Sequence, residues 1–105
     1  MKPEARVSRA VILLLRDTLG GHVWSTEQGY RKERGGTRTT PGIPDLIVMF
    51  PQHGFWTFAE LKAGKGKLSP AQKVFQEVSL RAGVPWQLWR SAEDALIWYQ
   101  TERKR

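Results

Sequence analysis

Between Asp45 and Phe50 the chain reads DLIVMF, apolar throughout after its first residue, which is the pattern of a strand covered on both faces. A second apolar run, FWTFAEL (Phe55 to Leu61), follows after the turn-forming PQHG, so the two predict a β-hairpin. On either side the period changes from two to that of a helix. Upstream, Val7, Ala10, Val11, Leu14 and Thr18 share one stripe and predict a helix over residues 4 to 19, ended by Gly20 and Gly21. HVWST (His22 to Thr26) predicts a short strand. Downstream, SPAQ (Ser69 to Gln72) reads as a capping box with proline at the first helical position. Ala71, Val74, Phe75, Val78 and Ala82 mark the stripe that this helix is expected to bury before Gly83 stops it. Residues 84 to 90 predict another strand, and SAED caps a last helix whose core stripe is Ala92, Ala95, Leu96 and Tyr99. The order helix, strand, hairpin, helix, strand, helix implies a mixed sheet with helices on its faces, an α/β sandwich. The helix between residues 62 and 84 is long enough for a right-handed crossover to a parallel strand.

A length of 105 residues suits one domain with one core, and no internal repeat is visible. The formal net charge of +7 changes the picture more. In a small domain with an ordinary core it points to a polyanion, either nucleic acid or an anionic membrane, although plain solubility also explains basic proteins. The absence of cysteine excludes disulfides and thiolate metal sites and suits a reducing compartment. VILLL (Val11 to Leu15) is too short to span a bilayer and lacks a signal-peptide cleavage site, so a cytoplasmic protein without membrane partners is expected. Residues 27 to 42 set Arg31, Lys32, Arg34 and Arg38 among glycines, a basic loop suited to phosphate contact or to simple solvation.

Chemistry enters through strand alternation. Trp56, Phe58, Glu60 and Lys62 share one face, so two ionisable groups continue an aromatic row. Asp45 opens the neighbouring strand after PGIP, whose prolines hold an extended approach. Pairing around a four-residue turn brings Asp45 near Glu60 across the ladder. Two adjacent carboxylates repel unless a cation lies between them, and magnesium takes oxygen ligands. Such an ion can polarise a phosphodiester, while a nearby lysine positions water or neutralises the pentavalent phosphate. The plainer alternative is a Glu60–Lys62 ion pair with Asp45 as a turn residue, since E-x-K is a common tripeptide. Pro-Asp opening a buried strand, a hairpin-length gap and E-x-K in a basic chain together favour the metal reading.

GIPDLIVMF, FAELKAGKGKLSPAQ and AGVPWQLWRSAEDAL together resemble the VRR-NUC domain of the PD-(D/E)XK nuclease superfamily, over about residues 4 to 98. The resemblance implies a restriction-endonuclease-like α/β sandwich of order αβββαβα. It also implies a metal-dependent DNA endonuclease of the standalone phage or bacterial kind, structure-specific for branched DNA such as a Holliday junction. Asp45 and Glu60 match the family's metal-binding acids, with Mg2+ as the ion and Mn2+ able to substitute. Lys62 matches the catalytic lysine, and Gln72 the glutamine on the following helix, a position that the capping box explains equally well. Glu4 matches an acid on the first helix that points at the metal; a solvated helix-start acid is the alternative. Lys65 and Lys67, on the glycine loop, are candidates for contact with the DNA backbone or plain solvated charge. The resemblance further implies a homodimer. Trp89 and Trp98 are its expected anchors, because each falls off the stripe its own element needs for the core. His22 and His53 share no metal spacing and are expected on loops or the surface. A function of another class, a catalytically silent nucleic-acid-binding module, has no chemical need for Asp45, Glu60 and Lys62 together. The preference for DNA over RNA rests on the resemblance alone.

Overall fold

The elements follow in the expected order: α1 (Pro3–Ile12), which runs on into a π-helical turn (Leu13–Thr18), β1 (His22–Ser25), β2 (Leu46–Phe50), β3 (Phe55–Leu61), α2 (Pro70–Ala82), β4 (Trp86–Trp89) and α3 (Ala92–Arg103). This is a computed structural model, which describes residues 1–26 and 41–105. The described strands form one mixed sheet of order β1-β2-β3-β4. β1 and β3 flank β2 antiparallel, and β4 joins β3 in parallel after the α2 crossover. The hairpin turns where expected: the His53 and Gly54 N–H groups both donate to Phe50 O, and Gly54 takes a φ of +77° that favours glycine.

One face of the sheet, carrying Val23, Leu46, Val48, Phe50, Thr57, Ala59, Leu61 and Trp89, is buried together with Val11 and Leu15 of the first helical stretch and Ala95, Trp98 and Tyr99 of α3. The first helical stretch departs from the regular period. In its π-helical turn the Leu19 N–H donates to Leu14 O, five residues back, which inserts one residue into the register. Leu15, four residues after Val11, is fully buried, Leu14 packs half-buried against the core, and Ala10 and Thr18 lie outside it.

The expectation for Trp89 and Trp98 is corrected by the same core. β4 pairs Leu61 with Trp89, which puts Trp89 on the inner face at 1% exposure. The α3 stripe is wide enough to take in Trp98 between Ala95 and Tyr99. The two indoles lie 5.5 Å apart, and Trp98 meets Phe50 and Phe55 at 6.1 and 5.4 Å. Neither is free to anchor another subunit.

α2 brings a second correction. Its capping box forms as read, and Gly83 ends it at a φ of +72°. Its buried and half-buried positions, however, include Gln72, Phe75, Gln76 and Ser79, with Phe75 edge-on to Phe58 at 5.2 Å. Val74 and Val78 are 61% and 48% exposed, and Ala82 is exposed as well. At 100° per residue the stripe Ala71, Val74, Val78 and Ala82 lies about a quarter turn away from the Gln72, Phe75, Gln76 and Ser79 face. Ala71 abuts Gly42 just before β2, so the stripe turns toward the β1–β2 side of the sheet. Trp24, Met49 and Trp56 are also exposed, so among the described residues the second face of β2 is only partly covered, with Ile47 half-buried and Met49 open. Val74 and Val78 of α2 and Trp24, Met49 and Trp56 of the sheet are thus left as exposed apolar side chains.

Candidate active site

The acids gather at the end of the hairpin opposite its turn. Extending the Leu46–Ala59 pair by one step sets Asp45 across from Glu60. Asp45 is held at both ends: its carbonyl accepts from Thr26 N at 2.9 Å and its Oδ2 from Leu61 N at 2.8 Å. Glu60 is buried, at 2% exposure. Its Oε2 accepts from Gln72 Nε2 at 2.9 Å and lies 3.7 Å from Lys62 Nζ. Its Oε1 is buried without a hydrogen-bond partner. Glu4, in the first turn of α1, completes the group: Glu4, Asp45 and Glu60 each place a carboxylate oxygen within 4.8 Å of the other two. A cavity of about 350 Å³ lined by Lys2, Glu4, Ser8, Ser25, Asp45 and Leu61, among others, opens beside them.

Burial, then the charge of Asp45 beside it, pushes the Glu60 carboxyl up to about 8 from 4.5; Glu4 adds to the rise and Lys62 opposes it. One ammonium does not offset desolvation and two like charges. A hard divalent cation would, and the donor set fits one: three carboxylates converge, and the buried Glu60 oxygen lacks any other partner.

The sheet and two helix starts thus bring Asp45, Glu60, Lys62, Gln72 and Glu4 together. Gln72 fills both roles open to it. Its Oε1 accepts from Ser69 N at 2.8 Å to close the capping box, while its Nε2 holds Glu60. Lys65 and Lys67 stand exposed on the loop after Lys62. Arg31, Lys32, Arg34 and Arg38 lie outside the described residues. His53 sits in the hairpin turn, 3.0 Å from the Tyr99 hydroxyl, and His22 is exposed on β1. Sequence reasoning missed Arg90, whose Nη1 donates to Gly64 O at 2.9 Å and Gly66 O at 2.8 Å. A basic residue after a strand gives no signal of which carbonyls it will meet.

A mixed sheet in αβββαβα order, with Asp and Glu-x-Lys converging at the end of its hairpin, has the architecture of the restriction-endonuclease-like nucleases. Among solved structures the chain is similar to one described as a VRR_NUC domain, with 27% identity and a TM-score of 0.70, covering 92% of this chain and 96% of that one. The chain has the fold of a VRR-NUC domain. No family model matches the sequence, and no curated protein matches it.

Proposed function

We propose that the protein is a divalent-metal-dependent endonuclease that cuts DNA, with branched DNA as its substrate and the cytoplasm as its place of work. The observation that carries this reading is the convergence of Glu4, Asp45 and Glu60 around an unpartnered buried oxygen, with Lys62 Nζ 3.7 Å from Glu60. The similarity to a VRR_NUC domain supports DNA as the partner. Magnesium, or manganese in its place, held by Asp45 and Glu60 with Glu4 beside them, would polarise the scissile phosphate, acidify the attacking water and stabilise the leaving oxygen. The chain's own part is orientation and charge. The Leu61 N–H fixes Asp45, Gln72 fixes Glu60, and Glu60 in turn holds the Lys62 ammonium where the phosphate gains negative charge. The decisive experiment incubates the protein with labelled linear, flap and four-way-junction DNA in magnesium, manganese or EDTA. Cutting in the metals and none in EDTA is expected, with the junction preferred. Binding without cutting in any metal would instead favour a silent binding module.

The reading includes a two-fold dimer, since a junction needs two coordinated cuts and one chain carries one acidic cluster among its described residues. With Trp89 and Trp98 in the core, the interface falls to the exposed apolar side chains Trp24, Met49, Trp56, Val74 and Val78, because a subunit contact would take such side chains out of water. Wild type should sediment at about twice 12.0 kDa at micromolar concentration. Met49→Glu with Val78→Glu should sediment as a folded monomer that nicks but no longer makes paired cuts. A wild type that already sediments as a monomer removes the dimer, and with it most of the case for junctions.

A further inference from the structure

We propose that Arg90 is a positioning residue for DNA binding: it fastens the Gly64–Gly66 turn so that Lys65 and Lys67 stand as a preset pair of phosphate contacts next to Lys62. The proposal rests on the nuclease reading and assigns the loop's role within it. AGKGK, residues 63 to 67, is a segment that glycine makes costly to order, and Gly64 adopts a φ of +52°. Within it the Gly66 N–H donates to Ala63 O at 3.0 Å, closing one turn. The remaining ties come from outside. A single guanidinium nitrogen of Arg90, Nη1, donates to the carbonyls of both Gly64 and Gly66.

Arg90 is itself held. Its backbone N–H donates to Asp94 Oδ2 at 2.8 Å, and Asp94 N donates in turn to the Ser91 hydroxyl at the start of α3. The residue before it, Trp89, accepts from Lys62 N at 3.1 Å. A short path of hydrogen bonds thus joins the α3 N-terminus, the lysine loop and the end of β3, where Glu60 is followed by Lys62. Lys65 and Lys67 are exposed and form no ion pair among the described residues, so their charges are open to a polyanion. Arg90 is half-buried and its Nη1 is engaged with carbonyls, which suits a clamp better than a direct phosphate contact. A loop ordered in advance spares the ordering cost on binding, so its release should appear as weaker affinity.

The test is a mutant cycle on full-length protein. Affinity for labelled DNA is measured by fluorescence anisotropy in EDTA, where no cutting occurs, and backbone amide exchange is followed at residues 63 to 67. Arg90→Ala is expected to weaken binding about tenfold, a typical loss when two hydrogen bonds to an ordered loop are removed. It should speed exchange in the loop while the sheet stays protected. Lys65→Ala with Lys67→Ala should weaken binding and make the salt slope shallower, by roughly 0.9 for each phosphate of duplex DNA that is no longer neutralised. Adding Arg90→Ala to that pair should cost little more, because Arg90 acts through the two lysines. Additive losses would overturn the proposal and make Arg90 a phosphate contact in its own right. Unchanged affinity with faster loop exchange would overturn it too. Should Arg90→Ala fail to fold, Arg90→Lys keeps the charge without the planar fork, and affinity and loop protection should both drop, by less. In that variant, loosened exchange at full affinity again defeats the clamp. Wild type that binds DNA but never cuts it defeats the nuclease reading alone, whereas cutting with an additive cycle defeats the Arg90 proposal alone.

Discussion

Glu60→Gln should abolish cleavage and, in the metal-free protein, raise stability at high pH. Gln keeps the shape and an oxygen for Gln72 Nε2, but it carries no charge for a cation and none to repel Asp45. The stability half follows from linkage. Glu60 titrates near 8 in the fold against 4.5 for the free side chain, raised by burial and by Asp45. Between those values the folded chain keeps a proton that the unfolded chain has released. Stability is therefore fully present below about pH 4.5 and is lost as pH climbs through about 8. The loss is on the order of a few kcal/mol at most, because a tenfold change in proton affinity is worth about 1.4 kcal/mol and water entering the site reduces the difference. Urea denaturation in EDTA at pH 6 and pH 9 measures it: wild type should weaken at the higher pH more than the variant does. Added magnesium should restore wild type and leave the variant unchanged. Cleavage by Glu60→Gln at the wild-type rate would remove Glu60 from the site. Equal pH responses of the two proteins would show that Glu60 ionises without penalty. Asp45→Asn should lose cutting as well while it stays folded, since the amide oxygen can still accept from Leu61 N.

Lys62→Ala should lower kcat roughly 100-fold or more, within the range for one acid–base or electrostatic group, with a much smaller effect on KM. Its Nζ shares Glu60 Oε2 with Gln72 instead of reaching into solvent, a placement for charge at the reacting phosphate rather than for capture of distant DNA. The substitution also removes the cation that opposes the rise at Glu60, so the acid limb of the pH–rate profile should move to higher pH. Single-turnover kinetics across pH 6 to 9 separates the two roles. A variant that loses affinity and keeps its chemical rate would make Lys62 a phosphate clamp.

The Asp45–Glu60 pair was legible because two local rules locate it, whereas Glu4 came from the family resemblance. Alternation fixes the face of Glu60, and the length of PQHG fixes the register that brings Asp45 across from it. The capping box at Ser69 was legible for a similar reason, being a contact within four residues. What stayed hidden depends on distant partners. The period of α2 shows an apolar stripe correctly but cannot say which way the stripe points, and in the fold polar Gln72 faces inward because buried Glu60 needs a donor. Trp98 looked surplus on a narrow stripe, yet Phe50 and Phe55 arrive from the hairpin to surround it. The π-helical turn after Ile12 leaves no mark in the sequence period.

Gly42 carries no chemistry, yet a methyl group there would sit 2.4 Å from Ala71 O, and its φ of +87° disfavours any other residue. To make room, the first turn of α2 must lift, and Gln72 lifts with it, away from Glu60. In a survey of random mutants, loss-of-function alleles would therefore accumulate at a position that bears no functional group. At most positions selection acts on what a side chain supplies, whereas at Gly42 what must be inherited is the lack of one.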